Sequence, residues 1–518
     1  MRRFPHRRLA SAAVVLSGAL ALSGCQLLSP GPGDGPETGV ESVNPEVVGD
    51  VPADLESFYT QEVAWELCEE TFACATVQVP LDYADPARDS INIALIRSDA
   101  TGESQGSVLV NPGGPGGSGV NIVKDALTYV TSDRLREAYD VVGFDPRGVG
   151  KSSAVDCQTD EEREADRLEY LEPEISDEEA FETLTAEAED FAAQCAERTG
   201  ELLGYVDTDS AARDLDILRA AVGDQDLNYL GFSYGTALGA AYAELFPANT
   251  GRLVLDGAVD PSLSNEEITL GQAQAFETAL RTYVADCQLS SDCPLPAGIE
   301  EGVAVIQDLF RSVEESPMTA ADGRLVTIGT FFSGFILPLY DNNNWTLLTG
   351  ALDQALQGDP SAMLQLADLG AEREADGSYL TNSNAAFIAI NCLDYPMTND
   401  PAELAADADE LAEASPTFGP YLAYGGVTCD AWEYGPVLEP APASAPDAAP
   451  MLVIGTTGDP ATPYDWSLAL ADQLETSVHV TWDGEGHTAY GRAGDCIEDL
   501  VDDYFVDGTL PEDGVSCD

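Results

Sequence analysis

Positively charged side chains are scarce in this 518-residue sequence. It contains 22 lysines and arginines, of which only Lys124 and Lys151 are lysines, against 92 aspartates and glutamates, so the formal net charge is −70. A protein that binds the phosphate backbone of a nucleic acid needs concentrated positive charge. The composition therefore argues against a nucleic-acid partner, and the acidic residues, which are spread along the chain, indicate a solvated, carboxylate-rich surface.

The usual metal-binding patterns are also missing. No CxxC pair and no cluster of cysteine and histidine occurs, and the whole chain has only three histidines. Structural zinc sites need four such ligands at close spacing. We therefore expect neither a metal nor another cofactor.

Long apolar runs are absent beyond the first 24 residues, so we expect no membrane-spanning helix in the rest of the chain. The N-terminus combines an arginine-rich start with an apolar run that ends in LSGC, which predicts a signal peptide over residues 1–24 and a lipid on Cys25. Ordinary cleavage or a retained anchor is the alternative. Residues 25–50, which include SPGPGDGPETG, are predicted to be a flexible tether. The protein is thus expected outside the cytoplasm, either lipid-anchored at the membrane or secreted.

Cysteine usage agrees with this location. Without Cys25, ten of the eleven cysteines remain, an even number that suggests five disulfides in a secreted chain. Sequence alone does not prove the connectivity, but close spacing favours two small loops and chain order completes the set. The expected pairs are Cys68 with Cys74, Cys157 with Cys195, Cys287 with Cys293, Cys392 with Cys429, and Cys496 with Cys517.

Strand-like runs alternate with helical stretches along the remaining chain. This alternation predicts a mostly parallel, eight-stranded sheet with helices on both faces. The first two runs are expected to form a hairpin. The eight runs are residues 75–83, 91–99, 107–111, 139–145, 227–232, 252–257, 451–456 and 479–482.

Two stretches interrupt the strand pattern. A small acidic, helical stretch covers residues 155–205, and strand signals fade for a much longer interval after residue 256. Neither stretch breaks the order of the sheet. We therefore predict a first part of the core over residues 51–262, a mainly helical insertion over 263–436, and a second part of the core over 437–518.

Residues 231–236, GFSYGT, place Ser233 at a predicted turn from strand to helix. Such a turn strains the backbone of a nucleophile, and glycine is needed at 231 and 235, where a side chain would collide with the neighbouring strand or helix. A GxSxG pattern alone recurs by chance. With these flanking elements, we interpret Ser233 as a catalytic nucleophile rather than as a serine in a glycine-rich turn.

A serine hydroxyl is a weak nucleophile and needs a general base, usually a histidine. His6 lies in the predicted signal peptide and His479 lies inside a predicted strand. His487 lies in the loop GEGHTAY after that strand, from which it can reach the carboxyl edge of the sheet. We therefore predict His487 as the base and keep His479 as the alternative.

The imidazole in turn needs a carboxylate that fixes its tautomer. Asp459 directly follows the strand at 451–456, which places it at the same sheet edge as Ser233, and the chain order Ser, Asp, His favours it. Thr462 either caps this turn, which we favour, or hydrogen-bonds the carboxylate. The competing acids, which we interpret as turn formers or solvated charges, are Asp256, Asp260, Asp483 and Glu485.

An oxyanion needs preorganised donors, and the glycine-rich segment NPGGPGGSG at 111–119 follows a predicted strand. We predict the backbone N–H of Gly114 as one donor, with Gly113 as the alternative, and that of Tyr234 as the second. A phosphate-binding loop is the competing interpretation, but neither GxGxxG nor GxxxxGK[ST] fits. The segment DPRGVGKS is interpreted as a turn that supports the site.

Five motifs occur in the order NPGGPGGSG, GFDPRGVGKS, GFSYGT, GDPATP and GEGH, over nearly the whole mature chain. Together they resemble α/β-hydrolases of the secreted actinobacterial tripeptidyl aminopeptidase group, which are relatives of proline iminopeptidases. The resemblance implies an α/β-hydrolase fold with a helical cap over the active site. It also implies removal of short peptides from a free N-terminus.

Carried over to this sequence, the resemblance implies Ser233 as nucleophile, His487 as base, Asp459 as the orienting acid, and the 113–115 loop with Tyr234 as the oxyanion hole. The loop begins with asparagine and proline where proline iminopeptidases often have histidine. A narrow preference for proline is therefore not implied.

An aminopeptidase must hold the ammonium group of its substrate, which calls for a shielded carboxylate. Asp394 in AINCLDYP looks like the acid of a similar family segment, although a purely structural carboxylate is the alternative.

The sequence thus predicts a serine peptidase that acts through an acyl-enzyme and releases di- or tripeptides from peptides with a free N-terminus. The alternatives are an esterase or lipase with the same residues and, from a different class, a non-catalytic solute-binding lipoprotein. Nothing in the sequence indicates the oligomeric state.

Overall fold

The structure is a computed structural model that describes residues 41–43, 51–168 and 177–518. The predicted signal peptide over 1–24, the lipidation site Cys25 and most of the predicted tether over 25–50 lie outside the described residues. Within the tether range, residues 41–43 form a strand. None of the helices in the described ranges combines the length and apolarity needed to span a bilayer.

Within these ranges, eleven strands form one sheet and two more form a separate hairpin. The order across the large sheet is β1-β2-β3-β4-β6-β5-β7-β8-β11-β12-β13, and β9 pairs with β10. The strands are β1 (Glu41–Val43), β2 (Val63–Cys68), β3 (Phe72–Pro80), β4 (Ser90–Ser98), β5 (Ser107–Asn111), β6 (Asp140–Phe144), β7 (Leu227–Phe232), β8 (Thr250–Asp256), β9 (Met318–Thr319), β10 (Leu325–Val326), β11 (Leu452–Gly458), β12 (Val478–Glu485) and β13 (Val515–Cys517).

All eight predicted strands are present, but the predicted number of strands is wrong. The sheet gains β1 and β2 at one edge and β13 at the other. β1 and β13 have three residues each, too few to show a periodic pattern. β2 reads VAWELC, and its apolar residues alternate with exposed positions over only one short stretch. Short edge strands of this kind form because they pair with a neighbouring strand, and their own sequence carries little strand signal.

The strands from β6 through β5, β7, β8, β11 and β12 to β13 pair in parallel. The strands from β1 to β4, and β4 with β6, pair antiparallel. The carboxyl ends of parallel strands meet at one edge of a sheet, where ligands bind in open α/β folds. Asn111, Phe232, Asp256 and Gly458 end four of these strands, so the segments that follow them converge.

Seventeen α-helices lie within the described ranges. They are α1 (Glu56–Tyr59), α2 (Gly119–Val130), α3 (Asp133–Ala138), α4 (Asp160–Arg167), α5 (Asp177–Thr199), α6 (Thr208–Val222), α7 (Tyr234–Leu245), α8 (Asn265–Cys287), α9 (Ile299–Glu315), α10 (Ile328–Ile336), α11 (Trp345–Leu356), α12 (Ser361–Gly370), α13 (Ser383–Asp394), α14 (Pro401–Ala414), α15 (Gly426–Asp430), α16 (Tyr464–Gln473) and α17 (Asp495–Asp502).

Alternate residues of the central strands are buried on opposite faces of the sheet. Leu109, Tyr229 and Val453 belong to an apolar cluster that includes residues of α6 and α7. Val110 and Leu230, one position further along their strands, belong to a second cluster with residues of α2 and α17. Helices therefore cover both faces, as the buried strand runs predict.

The elements from α8 to α15, with the β9–β10 hairpin, lie between β8 and β11 in the chain and within the range predicted for the insertion. Helices α8 to α12 share one large apolar cluster, whereas α13 and α15 pack in a different cluster together with Val149 and Val155. In the large cluster, Phe310 makes edge-to-face contacts with Phe331 and Phe335, with ring centroids 5.3 and 5.2 Å apart. We call the elements from α8 to α15, with the hairpin, the cap.

The structure pairs the ten cysteines of the described ranges in five disulfides, with the pairs that chain order suggests. They are Cys68–Cys74, Cys157–Cys195, Cys287–Cys293, Cys392–Cys429 and Cys496–Cys517. The last of them ties β13 to α17. Disulfides in this number are typical of a protein that matures outside the reducing cytoplasm.

Candidate active site

Ser233 occupies a strained turn between β7 and α7. Its backbone angles are φ 55° and ψ −124°, a left-handed conformation that is costly for a serine and is found at nucleophile turns. A Cβ atom on Gly231 would lie 2.4 Å from the carbonyl oxygen of Gly235, and one on Gly235 would lie 2.9 Å from Oδ1 of Asn111. Both glycines are therefore required by the close approach of helix and strand.

His487 and Asp459 are in direct contact. Nδ1 of His487 lies 2.9 Å from each carboxylate oxygen of Asp459. The carboxylate also accepts hydrogen bonds from the backbone N–H groups of Ala461 and Thr462, both at 2.9 Å, and from the Thr462 hydroxyl at 3.0 Å. The interpretation of Thr462 as only a turn cap is thus wrong, because its hydroxyl donates a hydrogen bond to the Asp459 carboxylate.

These contacts keep Asp459 ionised. Burial alone would raise the pKa of its carboxyl group, but the adjacent imidazole and the N–H donors outweigh burial and hold the pKa below its usual value. A buried carboxylate on Nδ1 leaves Nε2 of His487 free to accept a proton.

Ser233 and His487 both lie beside the end of β8. The backbone N–H of Ser233 donates to the carbonyl oxygen of Asp256 at 2.9 Å. The next residue, Gly257, is so close to His487 that an added Cβ would lie 3.2 Å from its Cε1 atom. Within the described part of the chain, no hydrogen bond joins the serine hydroxyl to the imidazole. Catalytic contacts of this kind often tighten only when substrate binds.

Asp256 is a functional candidate whose role the sequence did not reveal. Its fully buried carboxylate accepts hydrogen bonds from the backbone N–H groups of Ala489, at 3.0 Å, and Tyr490, at 2.8 Å. Burial raises the pKa of this carboxyl group to about 6. The interpretation of Asp256 as a turn former or solvated charge is therefore wrong, because it anchors the loop that carries His487.

The alternative base lies elsewhere. His479 is buried in β12, and its Nε2 atom lies 2.9 Å from the hydroxyl of Ser467 on α16. Burial lowers the pKa of this imidazole. Ser467 and His479 thus form a serine–histidine contact inside the fold, away from the strained turn at Ser233.

The cap holds the histidine loop directly. The backbone N–H of His487 donates to the carbonyl oxygen of Tyr340 at 2.7 Å. The guanidinium of Arg492 donates to the carbonyl oxygens of His487 and Thr488, both at 2.8 Å, and to the carboxylate of Asp341 at 2.9 Å. Arg492 therefore links the base to the cap segment that follows α10, a role for which the sequence gives no local signal.

The predicted oxyanion donors lie beside the nucleophile. A Cβ on Gly113 would lie 2.9 Å from Cβ of Ser233 and 3.1 Å from the backbone nitrogen of Tyr234. The N–H of Gly113 already donates to Oδ1 of Asn111 at 2.8 Å. The N–H groups of Gly114 and Tyr234 have no acceptor among the described residues. This geometry favours Gly114 over Gly113 as the partner of Tyr234.

We expect Asn111→Ala to lower kcat by up to about 100-fold, because the glycine loop loses its anchor and its donors shift by a fraction of an ångström. KM should change little, since the loop acts on the developing charge. Asn228→Ala is the matched control, because Asn228 lies near the start of β7, at the end of that strand away from Ser233. Steady-state kinetics with one ester substrate measures both variants, and equal kcat values for the two would contradict a role of Asn111 in holding the loop.

Two cavities lie next to residues of this site. One, of about 970 Å³, begins at Pro115 of the glycine loop and runs between α4, α5 and the cap, past Phe191, Phe332 and Phe387. The other, of about 330 Å³, touches His487 and lies under the cap turn that contains Tyr340. Volumes in this range suit ligands of the size of a short peptide or of one side chain.

Asp394 lies close to the Tyr234 side chain, to which it is linked through Thr208. Its carboxylate is 7% exposed and accepts hydrogen bonds from the backbone N–H and the hydroxyl of Thr208, and that hydroxyl also contacts the Tyr234 hydroxyl. Burial raises the pKa of the carboxyl group to about 7. Asp394 is not among the described residues that line the two cavities, so its role as an ammonium ligand stays a prediction.

Comparison with known proteins gives matches over both parts of the chain that carry the site residues. Residues 106–300 match a family model described as the alpha/beta hydrolase fold, and residues 415–517 match one described as TAP-like protein. Serine protease Hip1 of Mycobacterium tuberculosis is 37% identical over 483 residues, with 88% of this chain and 91% of that protein covered.

Two further relatives bear different names. Carboxylesterase B of Mycobacterium tuberculosis is 36% identical, with 99% of each chain covered. Tripeptidyl aminopeptidase of Streptomyces lividans is 31% identical over 476 residues, with 88% of this chain and 86% of that protein covered. The chain therefore belongs to the α/β-hydrolase family that includes these serine hydrolases, which confirms the resemblance found in its five motifs.

Proposed function

We propose that this protein is an extracytoplasmic serine peptidase that removes short peptides from the free N-termini of its substrates. The observation that carries the proposal is the buried Asp459 carboxylate on Nδ1 of His487, at the sheet edge where Ser233 stands in a strained turn. A non-catalytic solute-binding protein has no use for this strain or for a buried carboxylate–imidazole pair.

The reaction would proceed through an acyl-enzyme. The Ser233 hydroxyl attacks the scissile carbonyl carbon while Nε2 of His487 takes its proton, and Asp459 stabilises the imidazolium that forms. The N–H groups of Gly114 and Tyr234 bind the oxyanion. The imidazolium then gives its proton to the leaving amine, and water, activated by the same histidine, hydrolyses the ester on Ser233.

Peptides are favoured as substrates by the relatives named serine protease and tripeptidyl aminopeptidase. The larger cavity supports this choice, because about 970 Å³ beside the glycine loop suits an acyl group of two or three residues. The relative named carboxylesterase B favours a second candidate, an esterase with the same residues.

The proposed location is the outer face of the membrane. Five disulfides point to an oxidising compartment. The sequence LSGC supports lipid attachment at Cys25, outside the described residues, and two acyl chains suffice for stable anchoring.

A panel of free-amine tripeptide anilides, their N-acetylated counterparts and short acyl esters tests the activity. We expect free-amine tripeptide anilides to be cleaved with a kcat/KM about 100-fold above that of their N-acetylated counterparts, because a buried counter-charge to the ammonium is worth a few kcal/mol. Ser233→Ala is the control for background hydrolysis. Cleavage of short acyl esters with no cleavage of any free-amine peptide would instead establish the esterase.

The Asp394→Asn variant tests how the free amine is held. We expect it to raise KM for free-amine peptides about tenfold while leaving KM for simple esters unchanged, since only the peptide carries an ammonium group. Because the pKa of the Asp394 carboxyl is raised to about 7, its charge and its attraction for an ammonium are lost as the pH falls below 7. The ratio of peptide KM to ester KM should therefore rise at acidic pH in the wild type but not in the variant. Equal effects on both substrates would remove Asp394 from the binding site.

A further inference from the structure

The smaller of the two cavities has features that the proposed mechanism does not use. Its lining surface is mostly apolar, and we call it the leucine pocket after Leu337, Leu347, Leu366 and Leu369. Leu347 on α11 and Leu369 on α12 are 56% and 67% exposed at its edge. Large apolar side chains left open to water beside a cavity mark a binding surface, the more so in a chain with a net charge of −70.

The position of the leucine pocket relative to the reacting groups identifies its occupant. Of the residues that line the two cavities, Pro115 of the glycine loop lines only the larger one, and His487 and Thr488 line only the leucine pocket. In a serine hydrolase the histidine gives its proton to the leaving group, so the leaving group must lie against the imidazole. The acyl group extends to the other side, beside the oxyanion donors.

We infer that the leucine pocket binds the side chain of the residue that follows the scissile bond, and that it selects an aliphatic one. This inference deepens the proposed peptidase function and rests on it. Burial of a leucine side chain in such a pocket is favourable because apolar surface leaves water on both partners.

The polar groups of the leucine pocket leave no free cation for an acidic side chain to pair with. Asp341 is already paired with Arg492 at 2.9 Å and accepts a hydrogen bond from the Tyr129 hydroxyl at 3.3 Å. The terminal nitrogens of Arg492 also donate to backbone carbonyl oxygens of the histidine loop and to the Asn342 side chain, and its Nε atom, which has no acceptor among the described residues, is buried away from the pocket surface. An acidic side chain would lose its hydration without gaining a counter-charge.

Acyl transfer to added amines measures this pocket separately from the rest of the substrate. A tripeptide methyl ester forms the acyl-enzyme, and leucinamide, alaninamide or aspartic acid α-amide then compete with water for it. We expect leucinamide to give an aminolysis-to-hydrolysis ratio about tenfold above that of alaninamide and the aspartate amide to give the lowest ratio, because the amine binds where the leaving group left. Equal ratios for the three amides would overturn the inference.

Substitutions in the leucine pocket test whether the preference for leucinamide arises there. The double substitution Leu347→Ser and Leu369→Ser changes two exposed side chains, so the packing of the buried core should not change. It should abolish the tenfold preference for leucinamide over alaninamide, because the apolar wall that buries the leucine side chain is lost. Leu289→Ser, at a leucine that is 86% exposed and does not line the pocket, is the matched control. An unchanged leucinamide preference in the double variant would place the selectivity elsewhere and overturn the inference.

The two proposals fail in different ways. Peptide cleavage with no preference among the amides would refute the leucine pocket and leave the peptidase intact. Ester cleavage without peptide cleavage would refute the peptidase, and the partition ratios would then still report whether the pocket binds the group next to the imidazole.

Discussion

The Ser233→Ala variant is expected to lose about 10⁶-fold in kcat against every substrate, because no other group in the site can form the acyl-enzyme. The fold should be unaffected. The serine hydroxyl makes no hydrogen bond within the described residues, and alanine keeps the Cβ atom at the strained turn, so the free energy of unfolding should change by no more than about 0.5 kcal/mol. Steady-state kinetics and thermal unfolding measure these two expectations, and a fluorophosphonate should label the wild type but not the variant.

The matched control for this variant is Ser467→Ala. Ser467 also contacts a histidine, with 2.9 Å between its hydroxyl and Nε2 of His479, but both residues are buried and neither lies at the nucleophile turn. This substitution should lower stability, since a buried hydrogen bond is lost, and should leave kcat and labelling unchanged. If Ser467→Ala lost activity to the same extent, or if Ser233→Ala were still labelled, the nucleophile would have to be sought elsewhere.

Much of the sheet was predictable because the central strands are buried on both faces and read as short, continuous apolar runs. The outer strands carry no such signal. β13 has three residues and is held by the Cys496–Cys517 disulfide and by pairing with β12, both of which are contacts distant in sequence. Nothing local distinguishes those residues from a loop, so tertiary context decides their conformation.

The candidate site was predictable for a different reason, namely the scarcity of histidine. Of the three histidines in the sequence, one lies in the predicted signal peptide and one in a predicted strand, so the choice of base reduces to His487, and strand order then leads to Asp459. The supporting residues could not be found in this way. Asp256 acts on backbone groups more than 200 positions away, and Arg492 joins the histidine loop to a cap turn about 150 positions earlier. Such contacts exist only in the folded chain.

Substituting the orienting acid should have the second largest effect on activity. We expect Asp459→Asn to lower kcat by about 10⁴-fold, because an asparagine amide can donate to Nδ1 of His487 and hold the wrong tautomer, which leaves no free lone pair on Nε2 for the serine proton. KM should change little, since Asp459 is buried and does not touch the substrate. Steady-state kinetics over pH 5 to 9 measures the loss, and Asp483→Asn, at an exposed carboxylate nearby, should stay within about twofold of wild type.

The comparison with Asp256→Asn decides which of two buried carboxylates orients the base. Among the described residues, the Asp256 carboxylate accepts from the N–H groups of Ala489 and Tyr490, with Oδ2 accepting from both and Oδ1 from Ala489 alone. An asparagine carbonyl in the Oδ2 position can keep both hydrogen bonds, but its amide group would face the N–H of Ala489. The histidine loop should therefore shift slightly, with a loss in kcat of about tenfold, far less than for Asp459→Asn. The reverse order, with Asp256→Asn the more damaging substitution, would mean that Asp256 orients His487 during the reaction and that the contact with Asp459 only stabilises the resting enzyme.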